Sequence, residues 1–169
     1  LGADYFAVPM MPDAFSVQGI ENLGTVFEKW KQNWKVTGKA LSGDTESIFV
    51  LSGDGLFIGY IINFYNVSSK QPIKDHRHWI EEIPQKVKKY LSEKHGRNGL
   101  VEASWKNPLQ IIQDYGCIPA KCQEVGVAIF DLDPALIEDI HIGTKENIEK
   151  SKEEFAHLSE ALLKILAAY

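Results

Sequence analysis

The chain has 169 residues and a net charge of -5, from 18 basic and 23 acidic side chains. That length suits one domain, 1–169, and that balance excludes a uniformly basic nucleic-acid binder while leaving room for a local basic patch. No apolar run approaches the ~20 residues of a membrane span, and two cysteines exclude a disulfide scaffold.

The opening residues, Leu1-Gly2-Ala3-Asp4, include no Met and no basic-plus-apolar leader pattern. The chain reads as a protein joined mid-chain, and its expected location is cytoplasmic. Tyr5-Phe6-Ala7-Val8-Pro9-Met10-Met11 is a nearly unbroken apolar run, as in a strand buried on both faces. Pro9 marks its end, because proline has no N–H to give to a ladder. Pro12-Asp13 and Ser16 supply turn and N-cap chemistry. Ile20, Leu23, Phe27, Trp30 and Trp34 then recur at helical spacing, one stripe on a helix of about four turns.

Residues 35–57 read as a connection with one short strand at Ile48-Phe49-Val50-Leu51. The second clear strand is Leu56–Phe64, apolar on both faces until Asn63. Residues 65–77 read as a polar loop. Trp79, Ile80, Ile83, Val87, Tyr90 and Leu91 form a second helical stripe ending near Gly96. Pro84 either starts the regular part of that helix or kinks it. Leu109, Ile111 and Ile112 suggest a short helix. Cys117-Ile118-Pro119 reads as the end of a third strand, again closed by proline, and Val127–Phe130 is another short apolar stretch. The last helix runs from about Asn147 to Ala167. Ile148, Phe155, Leu158, Leu162, Ile165 and Leu166 share one face, with Lys150, Lys152, Glu153, Glu154 and Lys164 elsewhere. Buried strands alternating with helices predict an α/β fold, a parallel sheet flanked by helices. Three strands make a small sheet, so a piece of it is expected to be missing.

The chemistry is sparse. The phosphate loop G-x-x-x-x-G-K-[ST] does not occur, and no G-x-G-x-x-G opens a helix. Ser52-Gly53-Asp54-Gly55 is turn chemistry. His76-Arg77-His78 would need a third ligand and a closed geometry; Asp75 is adjacent, but the stretch reads as a solvated loop, so no metal site is expected. Cys117 and Cys122 read as free thiols, and no catalytic constellation is found. Lys86, Lys88, Lys89, Lys94 and Arg97 form a basic cluster, either a solvated face or a phosphate-contacting patch. Asn63 either caps a turn or offers a donor and an acceptor to a ligand at the strand's carboxyl end. Pro119 is expected at the same sheet edge.

Three segments together resemble a known family. Ala3–Ile20, with strand, Pro9, Pro12-Asp13 and Phe15-Ser16-Val17-Gln18-Gly19, resembles the mid-chain motif of ParA/MinD-type ATPases. Gly59-Tyr60-Ile61-Ile62-Asn63 resembles that family's next strand. Cys117-Ile118-Pro119 with Glu124 and Val127–Asp131 resembles the following strand and loop. The resemblance implies a P-loop NTPase-like fold, a partitioning or positioning role, and ATP and Mg as cofactors. Asn63, Pro119 and Ala120 would form the base-binding side of the pocket. It further implies a homodimer, nonspecific DNA as a partner, and a ParB-like or cargo adaptor protein. In that family the phosphate loop and Mg-binding residues precede the first motif, and none is in this sequence. The chain thus resembles the C-terminal half of such an ATPase, lacking the N-terminal phosphate-binding half and inactive alone. The alternatives are a stand-alone degenerate interaction module and, third, an unrelated small α/β enzyme. Ala120-Lys121-Cys122-Gln123 departs from the basic residues the family often places there.

Overall fold

The computed structural model describes residues 4–41, 55–65, 67–68, 71–72, 74–96, 101–137 and 144–167. Three strands form a parallel sheet in the order β1-β2-β5: Tyr5–Met10, Leu56–Tyr65 and Gln110–Gln113. A separate antiparallel pair joins β3 (Val67–Ser68) to β4 (Gln71–Pro72).

After β1 the chain turns at Pro12-Asp13 into α1, Ala14–Leu41. The Asp13 carboxylate accepts the Ser16 N–H at 2.7 Å, and the Ser16 hydroxyl accepts the Met11 N–H at 3.0 Å. The first bond satisfies a donor that the helix leaves open, and the second ties the end of the preceding turn to the helix. The helix runs a full turn or more beyond Trp34. The predicted strand at 48–51 lies outside the described residues. Lys74–Val87 is α2, with Pro84 inside it and no break there. It continues through a π-helical turn, Lys88–Ser92, into α3, Glu93–His95. The sequence places residues 65–77 in a loop, but they hold the β3–β4 pair and the start of α2, so His76 to His78 are helical.

The third strand corrects two sequence expectations. Leu109, Ile111 and Ile112 do not make a short helix, because Gln110–Gln113 pairs with β2. Pro119 does not close a strand. It sits in the first turn of α5, Ile118–Val125, where a missing N–H is harmless. Val101–Lys106 is α4, two 3-10 turns cover Ile129–Asp131 and Pro134–Leu136, and α6 spans Thr144–Ala167.

Both crossovers step the same way across the sheet, from β1 to β2 and from β2 to β5, and carry their helices to one face. There Met10, Tyr60 and Ile62 pack with Val17 and Ile20 of α1 and with Ile83, Val87 and Leu91. On the opposite face Ile61 and Ile112 pack with Ile118, Cys122, Ile148 and Leu158 of α5 and α6. Alternation along β2 assigns Ile61 and Ile62 to different cores. Gly59 has φ +149, and a Cβ there would lie 2.7 Å from the Leu109 side chain. Glycine alone adopts that φ at ease, and its missing Cβ leaves the space that the Leu109 side chain fills.

Candidate functional site

Parallel sheets bind ligands beyond the carboxyl ends of their strands. At that end β2 departs from regularity. Ile62 pairs with Ile111, but Tyr65 pairs with Gln113. Two residues of β2, Asn63 and Phe64, thus face one of β5, as in a β-bulge. Phe64 has φ 55, the one non-glycine positive φ among the described residues. A phenylalanine held there carries backbone strain, which collects at binding sites.

Asn63 and Phe64 border a cavity of about 160 Å³. β5 and its exit contribute Ile112, Gln113 and Tyr115; α5 contributes Pro119; the first 3-10 turn contributes Ile129; α6 contributes Phe155. Pro119 therefore meets Asn63 at one pocket, though it arrives on a helix. Ala120, next along, is exposed and does not line it. No side chain among the described residues hydrogen-bonds the Asn63 amide. A cavity of ~150 Å³ takes a single benzene-sized ring, so this one suits a flat ring and not a whole nucleotide.

A polar network supports the far wall. The Tyr115 hydroxyl donates to Glu154 Oε2 at 2.6 Å, and the Gln113 backbone N–H donates to the same oxygen at 3.1 Å. Burial first, then the Glu154 carboxylate, pushes the Tyr115 phenol well above its ordinary range. Sequence reasoning missed Gln113, Tyr115, Glu154 and Phe155 as a group. One signal was available: Asn147, Lys150 and Glu154 recur at spacings of three and four on one helix.

The other sequence candidates lie apart. Lys86 and Lys89 lie over the Tyr90 ring at 5.7 and 4.7 Å, and Lys88 over Trp105 at 4.8 Å. Lys94 pairs with Glu28 at 2.8 Å, and Arg97 is outside the described residues. Among the described residues no group of three or more His, Cys, Asp or Glu converges to hold a metal ion. Cys117 and Cys122 are both free; burial pushes the Cys122 thiol up, away from reactivity. A larger cavity of about 380 Å³ has its described lining, Trp30, Asn33, Trp34 and Thr37, on α1 alone. Trp30 lies about 24 Å along the helix from its start, away from the strand ends, so we place the site at Asn63.

No helix of the described residues is long and apolar enough to cross a membrane. The chain is thus an α/β protein with a small parallel sheet flanked by helices and a pocket at the strand ends. Compared with known proteins, it matches no family model, no curated sequence and no solved structure.

Proposed function

We propose that this chain carries the base-binding side of a ParA/MinD-like nucleotide site, on a P-loop NTPase-like scaffold, within a partitioning or intracellular-positioning ATPase. The observation that carries this reading is the meeting of Asn63 and Pro119 at one cavity beyond the strand ends, although they lie far apart in sequence. An amide offers a donor and an acceptor side by side, which matches the edge of adenine. Phe64 and Phe155 supply apolar walls for a flat ring.

The pocket fits part of what the resemblance implies. Its size and lining fit one ring of a base. It does not fit phosphates, because among the described residues no cation lines it. The described residues also fit no Mg site of three or more such ligands. Hydrolysis is therefore not assigned to this chain. On this reading the phosphate-holding groups belong to another segment or subunit, and the expected partners are a second copy, nonspecific DNA and a ParB-like or cargo adaptor.

The test is titration of the 169-residue chain with adenosine, followed by amide NMR, with guanosine as control. Saturable adenosine binding is expected, weakened about tenfold in Asn63→Ala, the size of one hydrogen bond. An absence of saturable binding, or equal binding by Asn63→Ala, overturns the reading.

A second reading, an interaction module without ATPase activity, has its own observation. Met11 and Phe15, which follow β1, and Phe64 near the end of β2 are exposed large apolar residues, Phe15 to 90%. That reading expects no adenosine binding.

A further inference from the structure

Glu154 stands off the apolar stripe of α6, yet its side chain is only 12% exposed. Its Oε2 accepts from both the Tyr115 hydroxyl and the Gln113 backbone. Its Oε1 lies 3.9 Å from Lys150 Nζ. Lys150 also donates to the Gln113 side-chain carbonyl, and Gln113 Nε2 donates to Asn147 Oδ1 at 3.1 Å. Three side chains of one helix thus hold the residues that close β5. Two of the held residues, Gln113 and Tyr115, line the cavity, as does Phe155 beside Glu154.

Apolar packing alone does not fix this arrangement. Ile148 and Leu158 dock α6 on the sheet, but hydrophobic contact is non-directional and tolerates small slides. Hydrogen bonds to a shielded carboxylate are short, strong and directional. We infer that Glu154 is a positioning residue: it locks α6 onto the end of β5, so that Phe155 and the Gln113–Tyr115 rim face Asn63 and Phe64 across the cavity. The inference rests on the base-binding reading only for what the cavity takes.

The test uses the 169-residue chain as wild type, Glu154→Ala and Glu154→Gln, with adenosine as the probe. The first readout needs no ligand. Amide NMR signals of Asn63 and Phe64 report the opposite wall. Glu154→Ala is expected to move both amide signals. Glu154→Gln keeps an oxygen acceptor and should move them less. Adenosine affinity should fall about tenfold in Glu154→Ala and by an intermediate factor in Glu154→Gln. Unmoved Asn63 and Phe64 signals overturn the positioning role whatever adenosine does. Moved signals in a protein whose wild type binds no adenosine uphold the positioning role and overturn the base-binding reading. Moved signals with affinity unchanged to within about twofold overturn the claim that the positioning serves the ligand. If Glu154→Ala does not fold, Glu154→Gln against wild type decides by the same readouts.

Discussion

The imidazole Nε2 of His95 lies 3.3 Å from the carbonyl oxygen of Gly24, joining the end of α3 to the middle of α1. A carbonyl only accepts, so Nε2 carries the hydrogen and Nδ1 is bare. That Nδ1 is buried with no partner. Phe6 and Phe27 stand edge-on to the ring at 6.3 and 5.8 Å. Burial holds the imidazole below its ordinary range, against the bond to Gly24; Lys31 and Lys94 add to the lowering and Glu28 opposes it.

This fixes the sign of an acid effect. The unfolded chain takes up the His95 proton near pH 6.5, whereas the folded chain resists it to lower pH. Stability linked to His95 is therefore whole above that value and is lost as pH falls through the folded value. Urea midpoints measured from about pH 7.5 to about pH 5 should fall for wild type and fall less for His95→Phe. Equal slopes would refute the linkage.

The same helix contact makes a glycine irreplaceable. A Cβ on Gly24 would sit 2.4 Å from the Tyr90 carbonyl oxygen, a backbone atom of the π-helical turn. Gly24→Ala should destabilise by about 1–3 kcal/mol through overpacking, although alanine is intrinsically better in a helix by about 1 kcal/mol. Gly19, in the same helix, meets nothing within 4 Å. Gly19→Ala should stabilise by about 0.4–1 kcal/mol. Urea unfolding of the two variants side by side checks the contact; stabilisation by both denies it.

Tyr60 sets an alkaline limit. It is buried in the sheet core, and burial pushes its phenol up to about 12. The unfolded phenol ionises near 10. The stability it carries is full below that pH and is lost as pH rises through the folded value. Tyr60→Phe should keep more of its neutral-pH stability under alkali than wild type. Parallel alkaline losses in circular dichroism would count against this.

Phe64 separates strain from contact. At φ 55 a glycine is at ease and an alanine is not. Phe64→Gly should exceed Phe64→Ala in stability by about 1 kcal/mol, while on the proposed base-binding reading both should weaken adenosine binding by removing a wall. Chemical denaturation orders the pair, and the reverse order would remove the strain from the account.

Much of the fold is legible where burial patterns are long. β1, β2, α1 and α6 each show an unbroken apolar run or a helical stripe. β5 is not legible, because Leu109 to Ile112 is too short for its periodicity to separate strand from helix. Its identity comes from pairing with Ile61 and Ile62, some fifty residues away, roughly the spacing of a crossover unit. Pro119 misleads for a related reason: proline ends strands and also begins helices. Asn63 is legible as a polar residue closing an apolar run. Glu154 reads as surface, because its shielding comes from Tyr115 and Gln113, which no local pattern brings to it.

The parallel sheet also dictates an order of assembly. Tyr5 pairs with Leu56, and Ile61 with Gln110. Every rung of the main sheet therefore closes a loop of roughly fifty residues, and the entropy of closure must be met before any ladder contact repays it. No hairpin seeds these three strands. The helices, whose contacts are local, can form early, while β2 waits for neighbours on both sides. Until they arrive, its run from Leu56 to Ile62 stays uncovered and can meet the same run on another molecule. The slow step of folding and the risk of aggregation thus fall on one strand, the strand that also carries Asn63.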